Sequence, residues 1–275
     1  MRLETTTDKS KASSLAHQQL SLEGLTNNDS YICFPAPCLD DFPEEVISQR
    51  TSLNSWLPGY VGNSQDGLDN IQAIKQLNPQ IQEALSRLTV MLLSGEESAI
   101  HVFYNEGKRI ENDSALVSQR LFYDIAHEEE QHERLLKYVY AQLPKPDDFH
   151  AIRSRSRKFF IRLKSQDPAI QFARIASLDS CVCKVMSSLL ETNCKISEVP
   201  ILARIAQKIR LDESRHVKAS RKHIDDLGMV DEERRLTDNI IRHEIIQLFE
   251  SVGDSYEALG IEPDRLFKNI LRGSK

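Results

Sequence analysis

A helical spacing of apolar residues, which begins near residue 79, constrains the fold more than any other feature of the chain. In the segment 79–107, apolar residues recur at steps of three, four and seven, so they share one stripe of an α-helix. The stripe consists of Ile81, Leu85, Leu88, Leu92, Ala99 and Phe103. Further helices are predicted at 115–143, 168–191, 200–228, 231–252 and 263–273. Because strand patterns are nearly absent, the sequence predicts an all-α fold.

The segment that precedes this pattern has a different character. Residues 1–70 are polar, with scattered Pro and Gly and no sustained spacing, so we expect a mobile or irregular segment that covers part of the core. Residues 71–275 then form one helical domain, whose core spans about 80–227. The link between the second and third helices, roughly 143–167, is long and part-helical, as a crossover along a helix bundle requires.

Composition argues against several kinds of partner and site. The formal net charge is −6 and neither Lys nor Arg forms a long block, which disfavours nucleic acid or an anionic membrane as partner. The densest basic run, 152–164, predicts one solvated face that can attract an acidic partner or substrate carrier. No apolar run approaches the roughly 18 to 20 residues of a transmembrane helix, and the N-terminus has no signal-peptide core, so we expect a cytoplasmic protein. The five cysteines include no Cys-x-x-Cys pair, which disfavours a zinc knuckle or a disulfide framework.

A module of acidic residues and histidine occurs twice in the predicted helices. Each module contains a Glu-x-x-His pair, and residues three apart on a helix share a face, so the carboxylate and the imidazole can bind one metal ion together. An acidic residue precedes each pair, by 33 residues in one module and by 34 in the other. The first module is Glu96, Glu129 and His132, and the second is Asp179, Glu213 and His216.

All six of these residues fall on the apolar stripes of their helices, so we predict that they face the core. Burial of four carboxylates without counter-charge would be severely unfavourable. Two divalent ions would balance the four negative charges, and oxygen-rich ligation with one imidazole per ion suits iron or manganese better than zinc or calcium. The sequence therefore predicts a site for two iron ions, with manganese as the alternative in one or both positions.

Other residues offer weaker alternatives. Glu97 is next to Glu96, but a rotation of about 100° per residue moves it off the apolar stripe. His127 and His132 are five residues apart, whereas a zinc-protease helix needs histidines four apart, so that class is discarded. The alternative to any site is four acidic residues on solvated faces, which the paired spacing disfavours. The histidines interpreted as surface or core residues are His101, His223 and His243.

The residues DESRH, 212–216, resemble the Asp-Glu-x-Arg-His signature of the ferritin-like di-iron oxygenase superfamily, which includes bacterial multicomponent monooxygenases and soluble acyl carrier protein desaturases. The resemblance covers about residues 80–227. It implies a ferritin-like four-helix bundle with a long crossover between helices two and three, and extra helices at the C-terminal end. It also implies that Glu213 and His216 are ligands. Asp212 is then expected to hydrogen-bond a ligand histidine, and Arg215 to pair with a carboxylate behind the ligands.

Two positions depart from the family pattern. Helix two has Gln131 where the signature would have Arg, so the support behind the ligands is expected to differ on that helix. Helix three has Asp179 where Glu is usual. Because the side chain of Asp is one methylene shorter, Asp179 would reach a metal only from a closer helix or through water.

The resemblance implies an O2-dependent di-iron oxidoreductase that acts in biosynthesis on a small organic substrate, free or tethered to a carrier. Hydroxylation, N-oxygenation, desaturation and C–C cleavage all belong to this chemistry, and an external electron donor is expected as a partner. Glu129, Glu213 and one of Glu96 or Asp179 would be the carboxylates that bridge the ions or shift during catalysis. Two alternatives stay open, a ferroxidase or iron-storage protein and a non-catalytic metal-binding bundle. Ferritin-like bundles often dimerise through helix faces, so a homodimer is compatible with this interpretation.

Overall fold

The chain is built almost entirely from α-helices. The computed structural model describes residues 65–110 and 119–273, and within these ranges it contains nine α-helices, one short 3-10 helix and no strand. The all-α prediction is confirmed for this part of the chain. The α-helices are α1 (Gln65–Lys75), α2 (Pro79–Arg109), α3 (Gln119–Tyr140), α4 (Phe149–Arg162), α5 (Pro168–Leu189), α6 (Pro200–Asp226), α7 (Asp231–Glu250), α8 (Gly253–Ala258) and α9 (Pro263–Leu271). The 3-10 helix, Lys195–Glu198, precedes α6.

Two helices were not predicted from the sequence. The short helix α8 follows α7 after a two-residue break. Helix α1 begins at Gln65, so residues 65–70 of the segment predicted to be irregular are helical instead, and Ile74 of the same helix is fully buried. The rest of that segment, 1–64, lies outside the described residues.

Local sequence explains where the principal helices begin and end. Asn78 precedes α2 and its side chain accepts a hydrogen bond from the backbone N–H of Gln80 at 2.9 Å. Asp167 caps α5 in the same way, accepting from the N–H of Ala169 at 2.8 Å. Proline occupies the first position of α2, α5, α6 and α9, where its missing N–H costs nothing. Gly228 ends α6 with a φ of 78°, a left-handed conformation that glycine adopts without strain.

The helices pack as two pairs, α2 against α3 and α5 against α6, and α3 also contacts α6. The link between α3 and α5 contains α4, which packs against α2 and α7. Helix α7 packs on α5, and α9 on both α5 and α7. Helices α4, α7 and α9 therefore add a further layer beside the paired helices.

The predicted apolar stripe of α2 is buried from Leu85 to Phe103, and only Ile81 at its start is half-exposed. Further along, Phe103 packs with Phe122 of α3 and Phe172 of α5, with ring centroids 6.3 and 5.9 Å away. Among the helices of the described ranges, none is long and apolar enough to cross a membrane.

Candidate metal centre

All six residues predicted to face the core do so. They come from four helices, and none is more than 5% exposed: Glu96 on α2, Glu129 and His132 on α3, Asp179 on α5, and Glu213 and His216 on α6. The rival Glu97 points away from the centre, where its carboxylate accepts hydrogen bonds from Arg153 at 2.7 and 2.9 Å. Helical periodicity therefore distinguished the two neighbouring acids correctly.

Four of the six side chains converge closely enough to hold a metal ion. Each has a ligand atom, and these atoms all lie within 4.8 Å of one another. The four are Glu96, Glu129, His132 and Glu213. Asp179 and His216 stand outside this group, although Asp179 lines the same cavity as the three glutamates.

The two histidines share two carboxylates between them. Nδ1 of His132 lies 3.2 Å from Oε2 of Glu129 and 3.8 Å from Oε1 of Glu213. Nδ1 of His216 lies 3.0 Å from the other oxygen of Glu129, Oε1, and 3.6 Å from the other oxygen of Glu213, Oε2. Each of these glutamates thus presents one oxygen to each histidine, which is the arrangement of a carboxylate that bridges two metal ions.

The remaining two acids differ in their contacts. Oε2 of Glu96 lies 3.4 Å from Nδ1 of His132. Asp179 lies outside the group of four, although the charges of Glu213 and Glu129 act on its carboxylate.

Outer carboxylates hold the far side of each imidazole ring. Nε2 of His132 lies 3.1 Å from Oδ2 of Asp212, and Nε2 of His216 lies 2.8 Å from Oε2 of Glu128. The expectation that Asp212 bonds a ligand histidine is thus met by His132. Both rings are thus held from the Nε2 side, so Nδ1 is the nitrogen that faces the centre and would bind a metal ion on losing its proton.

A single guanidinium connects these two outer carboxylates. Arg215 donates to Oε1 of Glu128 at 3.0 Å and also to Oδ1 of Asp212, and Lys208 donates to Asp212 at 2.5 Å. Arg215 therefore supports the carboxylates behind both histidines, and no second arginine from α3 takes part in these contacts, because α3 has Gln131 at the corresponding position. The Nε2 of Gln131 lies instead 3.5 Å from the ring of His127.

Glu128 was missed at the sequence level, although a pattern pointed to it. It immediately precedes Glu129, as Asp212 immediately precedes Glu213, so the two modules share an acid before the glutamate. Helical geometry alone did not distinguish Glu128 from the solvated Glu130, because Glu128 is itself half-exposed and only its pairing with His216 identifies it.

Burial and mutual repulsion control the charges in the centre. Burial raises the pKa of Glu96, and the charge of Glu129 adds to the effect. Burial likewise raises the pKa of Asp179 and Glu213, again with repulsion from neighbouring carboxylates. For Glu129 burial is outweighed by His216 and His132, which hold its pKa below the ordinary value.

The histidines respond in the opposite sense to burial. Burial disfavours their charged forms, but the surrounding carboxylates outweigh it and raise the pKa of both His132 and His216. Without a metal ion, protons on these histidines and on the raised carboxylates are what balances the charge. A divalent cation would replace those protons.

Several buried atoms of the centre have no hydrogen-bond partner in the described part of the protein. They are Oε1 of Glu129, Oδ2 of Asp179, Oε2 of Glu213 and Nδ1 of His216. The 3.0 Å contact between His216 and Glu129 joins two of these atoms without forming a hydrogen bond. Buried polar atoms are almost always satisfied in native proteins, and all four atoms here are of the kinds that bind iron or manganese. The residues present therefore fit a metal centre.

A small cavity lies against the four central carboxylates. Its volume is about 40 Å³, which is room for a few water-sized molecules. Apolar side chains from outside the paired helices close it, namely Phe160 of α4 and Ile245, Leu248 and Phe249 of α7. Gly95 lets the ring of Phe160 approach, since a Cβ there would lie 3.3 Å from its Cζ. A larger surface cleft of about 670 Å³ between α5 and α9 contains none of the six residues.

The residues set aside as non-ligands lie elsewhere. His101 and His243 are exposed, and His223 is buried with its Nε2 2.5 Å from Oε1 of Glu106. Burial raises the pKa of Cys181 and of Cys183 to about 12, so both thiols stay protonated and pack as small apolar groups.

Comparison with known proteins adds no relative: no family model, no curated protein and no solved structure matches the chain. What the described residues establish is an all-helical protein with a buried group of glutamates and histidine that can hold a metal ion.

Proposed function

We propose that this chain is a non-haem di-iron oxygenase or oxidase, built on a ferritin-like four-helix bundle of α2, α3, α5 and α6, that uses O2 to oxidise a small organic substrate. One observation carries the proposal: Glu129 and Glu213 each present one oxygen to His132 and the other to His216, inside a core. Two cations between them would satisfy the unpartnered atoms and balance the buried charge.

In this proposal four carboxylates and two imidazoles would hold the two ions. Glu96 and His132 would be donors to one ion, Asp179 and His216 to the other, and Glu129 and Glu213 to both. Such oxygen-rich donors suit iron, and manganese can use the same set. Bound iron would supply the electron-transfer chemistry that reduction of O2 requires.

The overall reaction needs electrons from outside the chain. In a hydroxylation, R–H, O2, two electrons and two protons give R–OH and one water molecule. In a desaturation the same inputs remove two hydrogens from the substrate and give two water molecules. In either of these two reactions an external donor must therefore deliver two electrons in each turnover.

The chain's own residues have distinct tasks in this scheme. Glu129 and Glu213 would be the catalytic carboxylates, since each faces both histidines and could therefore contribute to holding either ion. Glu128 and Asp212 hold the imidazole rings in the orientation that ligation requires. The apolar wall around Phe160 excludes water and favours an apolar group of the substrate next to the carboxylates.

The same wall favours an organic substrate over iron itself as the substrate. In a ferroxidase, hydrated iron must enter and leave, and a polar path serves that purpose better than a cavity closed by Phe160 and Phe249. The substrate can be free or tethered to a carrier, with its reacting end reaching the cavity.

Metal content tests the site. Protein reconstituted anaerobically with Fe(II) should contain two iron ions per chain by elemental analysis. Glu96→Gln should lower this to one or none, whereas the matched variant Glu97→Gln should retain two, because Glu97 pairs with Arg153 outside the centre. Two irons in Glu96→Gln, or none in the unmodified protein, would contradict the assignment.

Oxygen consumption tests the reaction class. With the reduced, iron-loaded protein, O2 uptake should rise when an organic extract is added and should be lost in Glu213→Ala. Uptake that follows only the amount of added Fe(II) would assign the chain to the ferroxidases instead.

A further inference from the structure

Helix α4 has two contrasting faces. Its inner face carries Phe160 to the cavity beside the carboxylates. Its outer face is rich in positive charge, as is Lys164, two positions beyond its end. No Asp or Glu occurs between residues 149 and 164. We name this surface the α4 basic face; its members, all exposed, are Arg155, Arg157, Lys158, Arg162 and Lys164.

The charge of this surface is not neutralised by its surroundings in the described part of the chain. None of its five cations forms an ion pair with a described carboxylate, whereas Arg153, on the inner side of the same helix, is buried and pairs with Glu97 at 2.7 Å. At the end of α4 the guanidinium of Arg174 donates to three carbonyl groups, the closest at 3.0 Å, and so offsets the partial negative charge of the helix terminus. The five cations of the α4 basic face therefore make this surface positive, although the net charge of the protein is −6.

We propose that the α4 basic face is the docking surface for an acidic electron-carrier protein. This inference rests on the proposed function, which requires two external electrons per turnover. His132 and His216 are fully buried, so a donor protein cannot touch the centre directly. A donor on the outer face of α4 would lie one helix diameter, about 10–12 Å, from the cavity that Phe160 closes.

The same surface fits other polyanions less well. A helix that lies on a membrane inserts its apolar face into the lipid. The large apolar side chains of α4 are instead buried against the protein, with the exception of Ile161, which is 59% exposed. Nucleic acid would meet repulsion from the acidic remainder of the chain. An acidic protein of limited size can match five cations without approaching that remainder.

The test measures binding on the full, metal-free chain, so that its result does not depend on the di-iron assignment. An acidic plant-type [2Fe–2S] ferredoxin is the probe, titrated at 50 and 300 mM salt. We expect micromolar affinity at low salt that weakens steeply at high salt. The triple variant Arg155→Glu, Arg157→Glu, Lys158→Glu should bind at least tenfold more weakly.

A control variant reverses the same number of exposed cations on other helices: Lys218→Glu, Arg221→Glu and Arg235→Glu. It should bind ferredoxin within twofold of the unmodified chain. After iron loading and oxidation of the iron in air, the α4 variant should be reduced by dithionite at the normal rate and by ferredoxin at least tenfold more slowly. This contrast separates docking from damage to the centre.

Several outcomes would overturn the inference. They are equal binding by the α4 variant and the unmodified chain, no ferredoxin binding at low salt, and preferential binding of phosphatidylserine vesicles through the same cations. Failure of the metal count would refute the proposed function but leave the binding result standing.

Discussion

Asp179→Asn is the most informative single change in the centre. The side chain is 4% exposed, and its Oδ2 has no hydrogen-bond partner among the described residues. Burial and the charges of Glu213 and Glu129 raise its pKa, so its ionised form is unfavourable in the metal-free protein. Asparagine keeps the size of the side chain and removes the charge. We therefore expect opposite effects on stability without and with metal.

The size of the effect follows from the burial of this carboxylate. An unpaired buried polar group costs about 1–3 kcal/mol and a charged one costs more, so replacement of the carboxylate by a neutral amide should stabilise the metal-free protein by about 2 kcal/mol. For a domain of about 200 residues this corresponds to a rise in Tm of roughly 4–8 °C. With metal at a concentration of about 100 times Kd, the unmodified protein gains about 2.7 kcal/mol from the second position. A hundredfold weaker site would gain only about 0.4 kcal/mol at the same concentration.

The assay is thermal unfolding of each protein after dialysis against chelator, and again with a fixed excess of Mn(II), which is stable in air. Asp179→Asn should melt higher than the unmodified protein in chelator, and its shift on addition of Mn(II) should be much smaller. Asp124→Asn is the control, because Asp124 is 64% exposed on α3 and its pair with Arg120 is long, at 3.7 Å. It should change stability by less than about 0.5 kcal/mol in either condition.

A lower Tm of Asp179→Asn in chelator would refute this reasoning. It would mean that Asp179 is paired in the metal-free protein and that its unpartnered oxygen does not report a missing cation. An unchanged Mn(II) shift would be equally damaging, since it would remove Asp179 from the second metal position.

Three further results are expected. The metal-free protein should lose stability as pH rises from about 5 to 9. The reason is that histidines and carboxylates whose folded pKa is raised stabilise the fold when protonated and lose that contribution at higher pH. In a series of melting curves, Mn(II) should flatten this decline. Arg215→Gln should weaken metal binding by about 10- to 100-fold in a competition titration, while the exposed Arg221→Gln should not. Phe160→Ala should speed extraction of bound Mn(II) by a chelator, because it opens the cavity wall. Phe149→Ala, buried on the same helix but outside the cavity lining, should only lower Tm, by an amount equivalent to about 3–5 kcal/mol.

The sequence by itself determined the helical class and the direction in which the six central residues point. Both are local properties, because the position of a side chain on a helix follows from its spacing to neighbours three and four residues away. That is why Glu96 could be distinguished from Glu97 before any tertiary contact was known. The unpredicted helices α1 and α8 show the limit, since both are short and carry too few apolar residues for a clear period.

Only the tertiary structure decided how those residues meet. The contact between Glu128 and His216 joins positions 88 residues apart, and the shared role of Arg215 depends on how closely α6 approaches α3. The division of the glutamate oxygens between two histidines, the separate position of Asp179 and the wall that Phe160 adds from α4 likewise depend on the packing of helices distant in sequence. Helical periodicity specifies a direction for each side chain, but the distance between two side chains on different helices is set by the packing of the whole core.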